Sequence, residues 1–547
     1  MIADKFAEVS LEYDKLQDGD VEIPKFELSD VPQFSEDDVK AALEGLDVNK
    51  SNVVGDVPAK ILKLFAKPVM TVINTSIVQG RWPDIFKLEV VTPVPKEYPT
   101  KNIDQLRNIS GLLNLDKIAE GLVSKLMISD MKKNLDPSQF ANQKGLSIQH
   151  YLIKMLDRVL EALDKNSKGE TCAVIATLVD WKQAFPRQCP KLGVESFIKN
   201  GVRPALIPLL VNYFQGRKMK VKWHGEFSTT RELNGGGPQG STFGIWEYLS
   251  QSNENADSID DDDKFKFVDD LSFLEIIYLL NVGIASYNVR SHVPSDIPSH
   301  NQIIPASNLE TQNHLNKIEK WTKNQKMKLN AKKTKSIIFN FSRNHQFTTK
   351  LKVDGANLAV VKETKLLGVT ITDDLKWNKN TAELVKKGYK RMQLLNAAAS
   401  FTSARQDLKS IYTTFVRSVL EQSSVVWHSS LSCENRKDLE RLQKTAVRII
   451  LGKTYNNYKQ GLKMLNLQTL NQRRKMLCLK FARKCLMNEK VRTFSPKNTS
   501  KHKMKKRKTK PFKQSKINTE RYKNSAIPYM RRLLNKDEEI KRSSLKN

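Results

Sequence analysis

The stretch Thr171–Trp181, TCAVIATLVDW, constrains the fold of this chain more than any other. It is a nearly continuous β-branched and apolar run, as expected of a strand buried centrally in a sheet, and it delivers one carboxylate, Asp180, to its C-terminal end. Far downstream, Lys264–Ser272 reads KFKFVDDLS, an aromatic and β-branched run that ends in the adjacent carboxylates Asp269 and Asp270. Neighbouring side chains on a regular strand point to opposite faces, so both can address one point only at a turn. A strand–turn–strand with Asp-Asp at its tip is therefore expected. Asp-Asp alone is common in solvated turns. Three carboxylates on two adjacent strands of one sheet, however, are what a two-metal site for in-line phosphoryl transfer requires. Mg²⁺, a hard cation that takes oxygen ligands and bridges to substrate phosphates, suits such a cluster, with Mn²⁺ as the alternative ion.

Charge points to the partner. The chain carries 91 Lys and Arg against 59 Asp and Glu, a net +32, which favours a polyanion: nucleic acid first, an anionic membrane surface second. At 547 residues two to four structural units are expected. The five cysteines form no CxxC pair and have no histidine at zinc spacing, which fits a reducing compartment without structural zinc. The N-terminus, MIADKFAEVSLEYDKL, has no apolar signal core, and no window approaches a membrane-spanning length. An intracellular location, nuclear or cytoplasmic, with no membrane association and no stable protein partner, is the expectation.

Periodicity places the elements. Ser35 caps a helix with Val39, Leu43 and Leu46 on its apolar face, and a second helical stretch covers Val57–Gln79. Leu88–Pro95 reads as a strand ending at prolines. Ile118–Leu126, Ile148–Leu163 and Leu309–Lys323 read as helices, Ser336–Phe341 and Lys365–Ile371 as strands, and Leu384 to about Met487 as helical. The Gly-rich turn Gly235–Gly240 is followed by a poorly patterned acidic stretch, in which Asp260–Asp263 reads as a solvated acidic turn rather than a metal site. The last sixty residues lack apolar periodicity, and Lys501–Ile517 holds nine Lys and Arg with no acid. That tail is expected to be disordered when free, to add non-specific nucleic-acid affinity, and to carry a basic import signal at Lys505–Lys508.

Other residues fit phosphate and nucleotide handling. Gly236-Gly237-Pro238-Gln239-Gly240-Ser241 sets glycines and a proline beside a glutamine, allowing close approach of a nucleic-acid strand. Phe185, five residues after Asp180, is an aromatic wall where a sugar 2′-hydroxyl would have to be excluded. Lys96 and Arg107 are cations suited to clamping a triphosphate. Each taken singly also reads as an ordinary turn, core aromatic or solvated charge.

The order of motifs resembles the reverse transcriptase of a non-LTR (LINE-type) retrotransposon. The landmarks are NKSNVVGDVPAKILK, NTSIVQGRWPDIFKLEVVTPVPK, LRNISGLLNLDKIAEGLV, QFANQKGLSIQ, LVDWKQAF, GGGPQGSTFG, FKFVDDLS, MKLNAKKTKSIIF, KLLGVTITDDLKW and VVWHSSLS…LERLQKTAVRIILG, over residues 25–455. The resemblance implies an α/β right-hand polymerase with fingers, a βαββαβ palm and a helical thumb. It implies an N-terminal helical extension over 1–85, fingers and palm over 86–345, a primer-grip hairpin and helical thumb region over 346–487, and the basic tail over 488–547. It further implies Asp180 and Asp269 as principal metal ligands and Asp270 as the third catalytic carboxylate. Phe185 resembles the deoxyribose selector, Gln239, with Gly240 beside it, the template- and nucleotide-positioning residue, and Lys96 and Arg107 the triphosphate contacts. Lys333 is similar to the proton donor to pyrophosphate, and Leu366-Leu367-Gly368 to the primer grip. The activity implied is RNA-directed DNA synthesis, with an RNA template, a DNA primer or target and deoxynucleoside triphosphates as partners.

Departures from the family pattern are Pro186 in place of Asp after the aromatic, Lys182-Gln183 in place of Ser-Lys, Asn108 in place of Pro after Arg107, and the polar stretch IWEYLSQSNENAD after the glycine turn. No endonuclease pattern precedes and no ribonuclease H pattern follows, as in a truncated element or one that takes its nicked primer from elsewhere. The alternative reading is a catalytically decayed relic that only binds RNA, which Pro186 and the missing endonuclease favour. An RNA-dependent RNA polymerase is a weaker rival, opposed by Phe185 and the FVDD context.

Overall fold

The structure, a computed structural model, describes residues 1–50, 53–96, 98–164, 171–280, 283–286, 302–342, 347–402, 404–497, 510–514 and 516–544. The strands used below are, in chain order, β1 (Leu88–Pro95), β2 (Leu106–Gly111), β3 (Thr171–Val179), β4 (Lys218–Trp223), β5 (Lys264–Phe267), β6 (Asp270–Leu280), β7 (Lys335–Phe339), β8 (Glu363–Leu366) and β9 (Val369–Thr372). The chain forms two compact units. One comprises Met1–Gln139, Asp180–Ser258 and His314–Asn330; the other comprises Phe140–Val179, Ile259–Asn313 and the chain from Ala331 onward.

In the second unit β7, β3, β6 and β5 lie side by side in that order, every neighbouring pair antiparallel. In chain order, helices intervene between β3 and β5 and between β6 and β7, so the pattern is βαββαβ with the first strand inside the sheet. The apolar run of β3 explains its place: flanked on both sides, Ala173, Val174, Ile175 and Ala176 are fully buried. The helix Ile148–Asp164 contributes Tyr151, Leu152, Met155 and Val159 to one core with Val174 and Ala176 of β3, Phe265 of β5, Leu274 of β6 and Ile337 of β7. Each of the larger aliphatic and phenyl side chains among these stabilises by about 1.5–3 kcal/mol relative to exposure. The same core continues through the hairpin β8–β9 and the helices Asn378–Phe401, Cys433–Leu451 and Leu470–Leu486. The chain thus adopts the mixed α/β class expected from its sequence.

In the first unit β1 pairs with β2 antiparallel and with β4 in parallel. The helices Asn114–Met131, Pro190–Lys199, Ile207–Phe214 and Thr242–Gln251 pack together, burying Leu122, Met127, Phe197, Leu210, Tyr213 and Phe243. The short helix Ile2–Ala7 buries Ala3 and Ala7 against Val91, Met219 and Val221.

Residues 1–85 lie in the first unit, where Ala3 and Ala7 share a core with β1 and β4. The segment 86–345 contributes to both units. Several expectations about individual elements are corrected. Val57–Gln79 is two helices, Ala59–Leu62 and Ala66–Gln79, since Pro68 fits only the first turn of a helix. Lys365–Ile371 is a hairpin, and the polar stretch after the glycine turn begins as the helix Thr242–Gln251. The tail over 488–547 is not uniformly unstructured: the helix Ala526–Ser544 buries Ile527, Met530, Leu533 and Leu534, a 3–4 spacing hidden among basic residues. Lys505–Lys508, the expected import signal, lies outside the described residues. Among the described residues no helix is long and apolar enough to cross a membrane.

Candidate active site

In the second unit β5 and β6 form the hairpin that carries the paired carboxylates. Phe267 pairs with Asp270, leaving Val268 and Asp269 as a two-residue turn. Val268 has a φ of +57°, the sign that a type II′ hairpin turn requires at its first central residue and that glycine usually supplies. For a β-branched residue this is an outlier costing about 1–3 kcal/mol, and such strain persists only where the surroundings impose it. The surroundings here are the β5–β6 and β3–β6 ladders, the Phe140 N–H donated to the Lys266 carbonyl at 2.8 Å, and the Tyr151 hydroxyl donated to Ser272 Oγ at 2.7 Å. The turn leaves Asp269 exposed and Asp270 half-buried. Burial, with a smaller contribution from the charge of Asp270, pushes the Tyr151 phenol well above its usual pKa.

The acidic run that precedes the hairpin is partly ion-paired rather than simply solvated. Arg158 grips Asp263 with two hydrogen bonds of 2.6 and 3.0 Å, and Lys264 Nζ lies 3.0 Å from Asp261. Lys333 is exposed in the turn before β7. Leu366 pairs with Val369, so Leu367 (φ +47°) and Gly368 (φ +83°) form a two-residue turn with the two positive φ values of type I′.

The chain passes from the second unit to the first between Val179 and Asp180. Val179 is the last residue of β3 and is paired with Leu271, the residue after Asp270. Asp180 is clamped within the first unit by Asn330. The Asn330 N–H donates to the Asp180 carbonyl at 2.8 Å, and its Nδ2 donates to Asp180 Oδ2 at 2.8 Å. Trp181 bridges to Leu329, and the Lys182 N–H donates to the Lys328 carbonyl at 2.9 Å. Asn330 belongs to the MKLNAKKTK motif, in which sequence reasoning singled out only Lys333.

Phe185 and the glycine loop are hydrogen-bonded to each other. The Phe185 carbonyl accepts from Gly237 N–H at 3.3 Å, and its half-buried ring lies 5.5 Å from that of Tyr248. Gln188, which the sequence did not mark, accepts from Gly236 N–H at its carbonyl (2.8 Å) and from Gly237 N–H at Oε1 (3.1 Å), and it donates to the Gly244 carbonyl (2.8 Å). A Cβ on Gly237 would sit 2.6 Å from Gln188 Oε1 and 2.9 Å from Gly244 Cα, so only glycine fits there. Pro186 is accommodated, with its carbonyl facing Gly236, and the Arg187 N–H still closes on the Gln183 carbonyl at 3.0 Å.

Gln239 reaches the β1–β2 hairpin. Its carbonyl accepts from Ser110 N–H at 2.9 Å, while its buried Oε1 has no hydrogen-bond partner among the described residues. Gly240 has a φ of +131°, and a Cβ there would meet the Ser110 carbonyl at 3.0 Å. Val94 pairs with Arg107, and the Lys96 N–H donates to the Gln105 carbonyl at 2.8 Å. Strand alternation therefore puts the exposed Lys96 and Arg107 on one face of this hairpin. The structure thus brings Phe185, Gln239, Gly240, Lys96 and Arg107 into one hydrogen-bonded assembly with the segment after Asp180. Asp269, Asp270 and Lys333 belong to the other unit.

A buried polar network backs the loop. Tyr213 donates to Glu120 at 2.6 Å and contacts Ser241 Oγ at 2.9 Å, and the Thr242 N–H donates to Glu120 at 2.7 Å. Ser110 Oγ donates to Glu89 at 2.6 Å, and Glu89 lies 3.5 Å from buried Arg217. Burial raises the pKa of Glu120, partly offset by these hydrogen bonds. Burial likewise pushes the nearby Glu247 carboxyl up to about 8, with the charge of Arg217 acting against it. Among the described residues no three His, Cys, Asp or Glu side chains are already gathered as a metal site.

No protein-family model matches the chain. It is 23% identical over 453 residues to a probable RNA-directed DNA polymerase from transposon BS of Drosophila melanogaster, an alignment covering 80% of this chain and 47% of that protein. It is 26% identical over 304 residues to the RNA-directed DNA polymerase from mobile element jockey of Drosophila funebris, covering 54% of this chain and 30% of that one. The chain spans less than half the length of these relatives. Apo telomerase from Candida tropicalis superposes with a TM-score of 0.38 at 12% identity, over 76% of this chain and 65% of that one, a likeness too loose to bear on function. This chain is similar to proteins of Drosophila named RNA-directed DNA polymerases, from transposons BS and X-element and mobile element jockey.

Proposed function

We propose that this chain is an RNA-directed DNA polymerase that adds deoxynucleotides to a primer 3′-hydroxyl on an RNA template, with Asp180, Asp269 and Asp270 as its catalytic carboxylates. The observation that carries this reading is the βαββαβ sheet, in which the strand leading into Asp180 is paired directly with the strand that begins at Asp270. In right-hand terms this sheet is the palm, the β1–β2 hairpin belongs to the fingers, and the helices from Asn378 onward form the thumb.

The donor set fits divalent metal: three carboxylates are hard oxygen ligands, and Asp269 is open to solvent. The chemistry that bound Mg²⁺ or Mn²⁺ supplies at such a site is activation of the attacking hydroxyl and neutralisation of charge at the leaving oxygen. The chain's own residues do the rest. Asn330 fixes the rotamer of Asp180 through the 2.8 Å bond to Oδ2. Phe185, backed by Tyr248, walls off the position of a sugar 2′-hydroxyl. Gln239, anchored at its carbonyl by the Ser110 N–H, positions the nucleotide and template strand from the glycine loop. Lys96 and Arg107 hold the triphosphate, and Lys333 gives a proton to pyrophosphate. The turn Leu366–Gly368 steadies the primer end. RNA template, DNA primer and deoxynucleoside triphosphates are then the partners, and a nuclear or cytoplasmic location follows from them.

Primer extension on a primed homopolymeric RNA template with Mg²⁺ tests this. Wild type is expected to extend the primer, and Asp180→Asn or Asp269→Asn to lose on the order of a thousandfold in rate while remaining folded by circular dichroism. Near-normal extension by either variant defeats the site assignment.

A further inference from the structure

The motifs of the polymerase resemblance begin near residue 25, so the first two dozen residues carry no expected role. Yet Glu12 and Tyr13 lie where three functional segments of the first unit meet. The Tyr13 hydroxyl bonds to the Arg187 carbonyl at 2.9 Å and the Lys326 carbonyl at 3.0 Å, joining the segment after Phe185 to the one that ends in Asn330. The Tyr13 carbonyl accepts from Asn234 Nδ2 at 3.1 Å, and the ring packs so closely on Gly235 that a Cβ there would lie 2.6 Å from it, which secures the entry to the glycine loop. Glu12 takes two hydrogen bonds from Arg187, at 2.8 and 2.9 Å, and one from Lys328 Nζ at 3.0 Å. Arg187 is only 4% exposed, so its pairing with Glu12 fixes a guanidinium that the fold has buried. The Arg187 and Lys328 partners hold the Glu12 carboxyl down to about 2, so it is ionised throughout the working pH range.

We propose that Glu12 and Tyr13 are positioning residues of the active site: an N-terminal strap that sets Asp180, through Asn330, against Phe185 and the glycine loop. The inference rests on the polymerase reading for its catalytic consequence and on geometry alone for the strap. Lys328 and Asn330 form a strand-like edge beside Asp180–Lys182, and Gln188, next to Arg187, bonds to Phe185, Gly236 and Gly237. The strap bridges these two supports. Without it each segment keeps its own backbone bonds but loses its register against the other, and sub-ångström placement of a metal ligand and a sugar wall is what a polymerase site cannot give up.

The test uses the full chain and three variants: Tyr13→Phe, which keeps the ring and removes the hydroxyl; Glu12→Gln; and Lys15→Ala as a control that removes only the exposed ion pair with Glu232. Amide hydrogen exchange is read over residues 180–188, 234–240 and 326–330, and steady-state primer extension is read on poly(rA) with oligo(dT) and dTTP. For Tyr13→Phe and Glu12→Gln the expected result is exchange about tenfold faster in those segments and kcat lowered about tenfold. Template Kd is expected to stay near wild type, the melting temperature to fall for Glu12→Gln, which leaves the buried Arg187 guanidinium without its carboxylate, and to change little for Tyr13→Phe, and Lys15→Ala to match wild type throughout. Unchanged exchange overturns the strap. Faster exchange with unchanged kcat in an active enzyme makes the strap structural only and overturns the positioning role. No extension by the wild type defeats the polymerase reading instead, and the exchange arm then decides the strap by itself.

Discussion

Asp269 and Asp270 ride on a ladder of backbone hydrogen bonds, whereas Asp180, Phe185, Gln239 and Gly240 sit on irregular segments held by side chains from distant parts of the sequence. In the hairpin, register is set by strand pairing from Lys264 to Phe273, and few side chains are needed to keep the turn in place. In the loop assembly, Asn330, Gln188, Tyr13, Glu120 and Ser110 each supply a bond that regular structure would otherwise provide. Substitutions in the hairpin should therefore act through the chemistry of the carboxylates alone. In the loop assembly, changes several residues away should also matter. The two regions fail differently.

The sharpest contrast is expected from the hairpin. Asp270→Asn, or removal of divalent metal by EDTA, should reduce synthesis by on the order of a thousandfold or more, with no shift in the unfolding transition beyond that of a surface change. Activity in EDTA equal to that in Mg²⁺ breaks the carboxylate side of the comparison.

A smaller but still large effect is expected from Gly237→Ala. The added methyl meets Gln188 Oε1 and the Gly244 backbone, so it should cost about 1–3 kcal/mol of stability and about tenfold in kcat, read by thermal melting and primer extension. A variant as stable and active as wild type would mean that the loop is not held as tightly as its bonds imply.

Phe185→Val should leave overall rate within a few-fold and raise ribonucleotide incorporation relative to deoxynucleotide by about tenfold, the size of one lost steric contact. Competition between dTTP and rUTP on poly(rA) reads it. Unchanged selectivity returns Phe185 to the role of a partner for Tyr248.

The last contrast concerns Glu247, beside the glycine loop, and is read in stability rather than in synthesis. Its carboxyl is raised from 4.5 to about 8 by burial, so the folded protein holds a proton that the unfolded chain has released. Stability from this group is therefore full below pH 4.5 and falls as pH rises to about 8, by at most about 1.4 kcal/mol per pH unit, with no further loss above that. Glu247→Gln should flatten that part of the stability profile, measured as the wild-type-minus-variant difference in urea unfolding. A difference independent of pH contradicts the burial argument.

The contrast also explains what could be read in advance. β3 was legible because a β-branched run of nine residues has few other fates, and the Asp-Asp turn because two adjacent carboxylates can converge only at a bend. The strap was not legible: the partners of Tyr13 lie 174 and 313 residues away, and no local pattern encodes such a meeting. Asn330 was passed over because Lys333, three residues after it, carried the stronger chemical signal. The C-terminal helix was missed for a different reason, since Ile527, Met530, Leu533 and Leu534 lie in a stretch whose lysines and arginines dominate any composition average.

The central claim is templated synthesis. The direct measurement is extension of a DNA primer by the full chain on an RNA of defined mixed sequence, with Mg²⁺ and all four deoxynucleotides, followed by sequencing of the product. A product complementary to the RNA, absent when any required deoxynucleotide is withheld and absent with Asp269→Asn, is the predicted result. RNA binding without extension, or extension that ignores the template, would contradict it.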